Sequence, residues 1–100
     1  MRSGESPSPD RPERAYTVII DRAATKSLLS LPEKAQTRIQ ERINALRSDP
    51  RPQGSQKLSG FDRTYRIRAG EYRVVYKVED DRLVILVVRI GHRKDVYWDM

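Results

Sequence analysis

Polar and apolar positions alternate along residues 64–78, and then the alternation stops. "TYRIRA" places Tyr65 and Ile67 on one face of a strand and Arg66 and Arg68 on the other. "YRVVYKV" repeats the pattern, with Tyr72, Val74, Tyr76 and Val78 opposite Arg73, Val75 and Lys77. The next stretch, "LVILVVRI", is apolar almost throughout and reads as a central strand buried on both faces. The connections "AGE" and "EDDR" have hairpin length, so consecutive antiparallel strands are expected.

Upstream the period changes. "YTVII" is β-branched and aromatic and predicts another strand. Asp21 follows as a helix cap, and Ala24, Leu28 and Leu31 recur at helical spacing. Ser30, Pro32 and Glu33 have the spacing of a capping box for a second helix over "PEKAQTRIQERINALRS". Its apolar stripe is Ala35, Ile39, Ile43 and Leu46. Arg38, Arg42 and Arg47 read as its solvated face. "RPQGSQKLSG" reads as a loop. The order β-α-α-β-β-β predicts an α+β fold, with a helical hairpin packed on a mostly antiparallel four-stranded sheet. Residues 1–14, rich in Pro, Ser and charge, read as a disordered leader, and residues 15–100 as the domain.

Composition narrows the chemistry. The chain has 100 residues, room for one small domain. It has no cysteine, so disulfides, thiolate nucleophiles and thiolate metal sites are excluded. A single histidine, His92, argues against an imidazole zinc site. No apolar run is long enough to span a bilayer, and a cytoplasmic protein with no membrane partner is expected. The net charge is +6. Arg2, Arg11 and Arg14 balance Glu5, Asp10 and Glu13, so the excess belongs to the domain. Such an excess favours polyanions.

The placement of that charge sharpens the point. Arg66, Arg68, Arg73 and Lys77 share one face of two adjacent strands, with no acid interleaved. There is no phosphate-binding glycine loop and no paired-carboxylate arrangement near this face. What remains is a set of Arg, Lys and Tyr with one His. Guanidinium groups bind phosphate bidentately and stabilise a pentacovalent transition state. RNA carries its own nucleophile, the 2′-hydroxyl. A metal-free ribonuclease therefore needs few residues and no cofactor.

"KLSG" followed by "YRIRAGEYRVVYKVEDDRLVILVVRIGHRKDVY" resembles the RelE family of bacterial toxins, in the wider RelE/ParE superfamily. The resemblance runs from about Tyr16 to Tyr97 and is most specific from Lys57 onward. It implies a helical hairpin over a curved antiparallel sheet. It also implies cleavage of translated messenger RNA in the ribosomal A site, by attack of the 2′-hydroxyl on the adjacent phosphate. A cognate antitoxin would wrap and block the domain, and the toxin–antitoxin complex would bind operator DNA through the antitoxin.

By this resemblance Arg73 and Arg93 hold and neutralise the scissile phosphate. Tyr97 stacks on or orients the substrate nucleotide. Arg66 and Arg68 grip the RNA backbone and assist proton transfer. Lys57 is an outer contact to ribosomal RNA, and Lys77 adds to the basic face. Well-understood family members carry lysines at the positions of Arg66 and Arg68. Arginine stays protonated, which leaves His92, water or the ribosome as the proton acceptor.

Other conspicuous residues have ordinary readings. Tyr65, Tyr72 and Tyr76 read as core. Arg63, Arg82 and Arg89 read as surface or strand-end charges. Trp98 either packs on the sheet or meets the antitoxin. Two further functions share the fold: a ParE-like inhibitor of DNA gyrase without nuclease activity, and a degenerate member that only pairs with its antitoxin. The late "HRKDVY" favours the nuclease.

Overall fold

The computed structural model describes residues 15–92. In chain order its elements are β1 (Thr17–Ile20), α1 (Arg22–Leu29), α2 (Glu33–Ala45), β2 (Gln56–Lys57), β3 (Thr64–Ala69), β4 (Tyr72–Glu79) and β5 (Val84–His92). They form one five-stranded sheet in the order β1-β5-β4-β3-β2, with two helices on one face. The α+β class and the helical hairpin stand as expected.

The strand count is corrected. Gln56 and Lys57, expected in a loop, form a short edge strand that pairs antiparallel with β3. Two residues carry too little periodicity to announce a strand. β1 pairs parallel with β5, and the remaining pairs are antiparallel.

Helix starts follow local chemistry, with one exception. Asp21 caps α1, its Oδ2 accepting from the Ala23 amide at 3.3 Å. The capping box expected at Ser30 does not form. Ser30 ends α1 instead, and its hydroxyl donates to the Ser27 carbonyl at 2.7 Å. Pro32 is the N-cap of α2 and offers no side-chain hydrogen bond. Gln36 Nε2 reaches back to the Leu31 carbonyl at 2.9 Å and ties the connection to the first turn of α2.

One core lies between the helices and the sheet. Ala24 and Leu28 of α1, and Ile39, Ile43 and Leu46 from α2 and its C-cap, meet Ile67, Val74, Tyr76, Val78, Ile85, Val87 and Ile90. Each such fully buried aliphatic side chain contributes about 1.5–3 kcal/mol relative to exposure. Tyr76 keeps its hydroxyl satisfied by donating to the Pro50 carbonyl at 2.8 Å. Burial pushes its pKa up to about 12.

β5 departs from the expectation of two buried faces. Ile85, Val87 and Ile90 are buried, but Leu86 and Val88 are only half-buried, because no helix covers their side. The register explains the uninterrupted apolar run. Val75 pairs with Arg89 and Tyr76 with Val87, so Val88 is an extra residue, a β-bulge. Ile85 and Val87 face the helices before the bulge, and Ile90 and His92 after it. The alternation is present, but it changes parity in mid-strand.

Polar ties fasten the periphery. Tyr16 donates to Asp80 at 2.6 Å, and Arg51 pairs with the same carboxylate while its guanidinium lies 5.4 Å from the Tyr65 ring centroid. Two helix cations expected to be solvated are structural. Arg42 Nε donates to the Arg68 carbonyl at 3.0 Å, and Arg47 Nε to the Tyr16 carbonyl at 3.2 Å.

Candidate nucleic-acid interface

The side of the sheet away from the helices carries the candidate site. Strand alternation places Arg66 and Arg68 opposite buried Ile67 and Ala69, and Arg73 and Lys77 opposite buried Val74, Tyr76 and Val78. The β3–β4 register then decides who meets whom. Arg68 is the direct cross-strand partner of Arg73, and Arg66 pairs with Val75. Two residues, Gly70 and Glu71, close this hairpin. Gly70 has φ of +66°, which suits the first central position of a type II′ turn. Its helix-facing side is tight, since a Cβ there would meet the Arg38 side chain at 3.1 Å.

Arg66, Arg68 and Arg73 line a cleft of about 130 Å³ together with Gly54, Gln56 and Ile67. Its lining holds no acid. Gln56 faces Arg66 across the β2–β3 pair, and its Oε1 accepts from Arg66 Nε at 3.0 Å and Nη2 at 2.7 Å. A neutral partner fixes the guanidinium without cancelling its charge. The strand acid on this face is Glu79, and Arg63 holds it at 3.0 Å at the far end of β4. Beside the cations, Leu58, Val75 and Val88 form a small apolar floor.

The expected site residues separate into three sets. Arg66, Arg68 and Arg73 come together, and Lys77 joins their face further along β4, between Thr64 and Leu86. Lys57 and His92 do not join them. Lys57 is exposed on the edge strand and pairs with Tyr65, so it shares the helix-side parity. His92 pairs with Tyr72, and their rings meet edge to face at 5.5 Å, again on the helix side. Its Nε2 lies 3.1 Å from Glu71 Oε1 in the β3–β4 turn. The bulge at Val88 puts it there; unbroken alternation would have aimed His92 at the cations. Arg93, Tyr97 and Trp98 lie outside the described residues.

Two residues of this face escaped the sequence. Gln56 gave no signal, because its strand was invisible. Arg89 was read as an ordinary charge, because nothing in the sequence marks the bulge that turns it toward Arg66 and Arg73. Among the described residues, no group of three or more His, Asp or Glu side chains is placed to hold a metal ion.

A helix-backed sheet with a cationic open face defines a small α+β domain. A family model described as the ParE toxin of the type II toxin–antitoxin system parDE matches residues 18–97. The putative toxin RelE1 of Methanocaldococcus jannaschii is 32% identical over 85 residues, spanning 82% of this chain and 94% of that protein. The mRNA interferase toxin RelE of Escherichia coli is 29% identical over 82 residues, spanning 80% of this chain and 85% of its own. The archaeal RelE–RelB complex from Pyrococcus horikoshii aligns with a TM-score of 0.72 at 32% identity, over 82% of this chain and 99% of that one. The chain belongs to the RelE/ParE superfamily of type II toxin–antitoxin toxins and, within it, is a RelE-family toxin.

Proposed function

We propose that this toxin is a ribosome-dependent endoribonuclease that cuts translated messenger RNA in the A site. The observation that carries the reading is the Arg68–Arg73 cross-strand pair beside Arg66 in one cleft. A phosphodiester bound across this cleft gains charge in the transition state, where fixed guanidinium groups act most strongly. The relative named an mRNA interferase supports the same chemistry.

In this mechanism the 2′-oxygen attacks the adjacent phosphorus and the bond from phosphorus to the 5′-oxygen breaks. The products are a 2′,3′-cyclic phosphate and a 5′-hydroxyl. Arg73, with Arg93, neutralises the phosphate. Arg66 and Arg68 stay protonated and act as donors to the RNA backbone, while Tyr97 orients the nucleotide. His92 points to the helix side, so the 2′-hydroxyl proton passes to water or to a ribosomal group. The leaving 5′-oxygen takes a proton in return. Neither a metal nor another cofactor takes part. The enzyme works in the cytoplasm, where its ribosomal target is. A cognate antitoxin, as in the archaeal RelE–RelB complex, holds this toxin inactive, and the pair binds operator DNA through the antitoxin.

Primer extension on messenger RNA in a reconstituted translation system tests the proposal. Cuts between A-site nucleotides are expected, and cuts that need no ribosome would correct the mechanism. A gyrase supercoiling assay run in parallel covers the ParE-like alternative. Inhibited gyrase with intact messenger RNA would overturn the nuclease reading.

A further inference from the structure

The bulge in β5 has a consequence for binding. Because Val88 is the extra residue, Arg89 and Ile90 exchange the faces that unbroken alternation would give them. Ile90 enters the core, 3% exposed, and Arg89 stands exposed on the cationic side. Across the sheet, Gln56, Arg66, Val75 and Arg89 form one register row over four strands, β2 to β5. Arg68, Arg73 and Gly91 form the next row. With neighbouring strands about 4.8 Å apart, Arg66 and Arg89 stand about 10 Å apart at the backbone. Arg73 projects from the strand between them. Gly91, directly opposite Arg73, contributes no side chain that would separate Arg73 from Arg89.

Arg89 also lacks the restraints that make other cations structural. Arg42, Arg47, Arg51 and Arg63 are tied to carbonyls or carboxylates. Among the described residues, no carboxylate pairs with Arg89. An exposed arginine beside Val75 and Val88, aimed by a backbone irregularity at a cationic face, is placed for a ligand rather than for stability.

We propose that Arg89 is a second phosphate-binding position, holding the nucleotide phosphate next to the one gripped by Arg66, Arg68 and Arg73. The ligand class is single-stranded RNA, bound through its backbone across β3, β4 and β5. This rests on the RNA reading above. Arg89 is a binding residue for a flanking phosphate and takes no part in bond cleavage.

The test is the affinity of the full chain for a single-stranded RNA oligonucleotide over a range of salt concentrations. Arg89→Ala should weaken binding several-fold and lower the salt slope by about 0.7, one phosphate contact on a single strand. Arg89→Lys should restore most of the slope. Arg82→Ala, which removes an exposed cation in the distant β4–β5 turn, should leave binding within twofold of the parent. The thermal midpoints of all three should match the parent, because both arginines are exposed.

Unchanged affinity and slope in Arg89→Ala would overturn the proposal. So would an equal loss in Arg82→Ala, which would reduce Arg89 to one part of a general positive charge. A parent protein that binds no RNA oligonucleotide also overturns it. A parent that binds RNA and shows this pattern, yet cuts no messenger RNA in translation, sinks the nuclease reading alone and leaves Arg89 in its role.

Discussion

The two faces of this sheet are built from the same strands and obey opposite rules. On the helix side, Ile67, Val74, Tyr76, Val78, Ile85, Val87 and Ile90 are almost wholly excluded from water. Their partners on α1 and α2 are apolar, and the buried Tyr76 hydroxyl is satisfied by a carbonyl. On the open side, Arg68 and Arg73 face each other directly, Arg66 is held by a neutral glutamine, and Arg89 has been turned outward by a bulge. The first face is organised to keep the chain folded. The second gathers three arginines around a cleft whose lining holds no acid. That contrast supports the proposal that the open face takes an anion, because its cleft gathers three arginines and no acid.

Mutations on the two faces should have opposite consequences. Ile39→Ala, at a site with no exposed surface, should cost about 2–5 kcal/mol in urea unfolding. RNA cleavage per folded molecule should stay near the parent value. Arg73→Ala should do the reverse. Cleavage should fall about a hundredfold, by analogy with removal of one oxyanion donor, while most of the unfolding free energy is kept. A large stability loss in Arg73→Ala with normal activity in its folded fraction would erase the distinction between the faces.

Smaller effects test the borders between them. Gly70→Ala should cost about 1 kcal/mol, since the turn needs its positive φ and Arg38 crowds the new methyl group. Reduced activity should accompany it, because this turn sets the Arg68–Arg73 register. The smallest effect belongs to Asp80. The Tyr16 hydroxyl, and then Arg51, hold its carboxyl below the ordinary value of 3.8. A depressed carboxyl adds stability that is complete above pH 3.8 and is lost as pH falls through the folded value. Asp80→Asn should therefore lower neutral-pH stability by only about 0.5 kcal/mol, because the pair is exposed, and the gap to the parent should close in acid.

Much of this was legible in the chain. Period-two alternation placed Arg66, Arg68, Arg73 and Lys77 together, opposite Tyr72, Val74, Tyr76 and Val78, and the structure keeps that partition. Helical spacing found the buried stripe of Ile39, Ile43 and Leu46. What failed did so for identifiable reasons. Ser30 matched a capping pattern, but a hydroxyl between two helices can serve either, and the end of α1 took it. The strand at Gln56 exists only because β3 offers it an edge. Arg42 and Arg47 looked solvated, because a sequence does not show which carbonyls lie within reach of a long side chain.

Which residues are core and which are cationic could be read from the chain alone, because burial and alternation are local consequences of hydrophobicity and strand geometry. Which cations meet emerged only once the strands were paired. That depends on register, and register depends on the Gly70 turn and on one extra residue in β5. The bulge at Val88 removes His92 from the cationic face and gives Arg89 in its place. A single step of parity reverses the destination of every side chain beyond it, and strand pairing across the sheet, rather than local composition, fixes where that step falls.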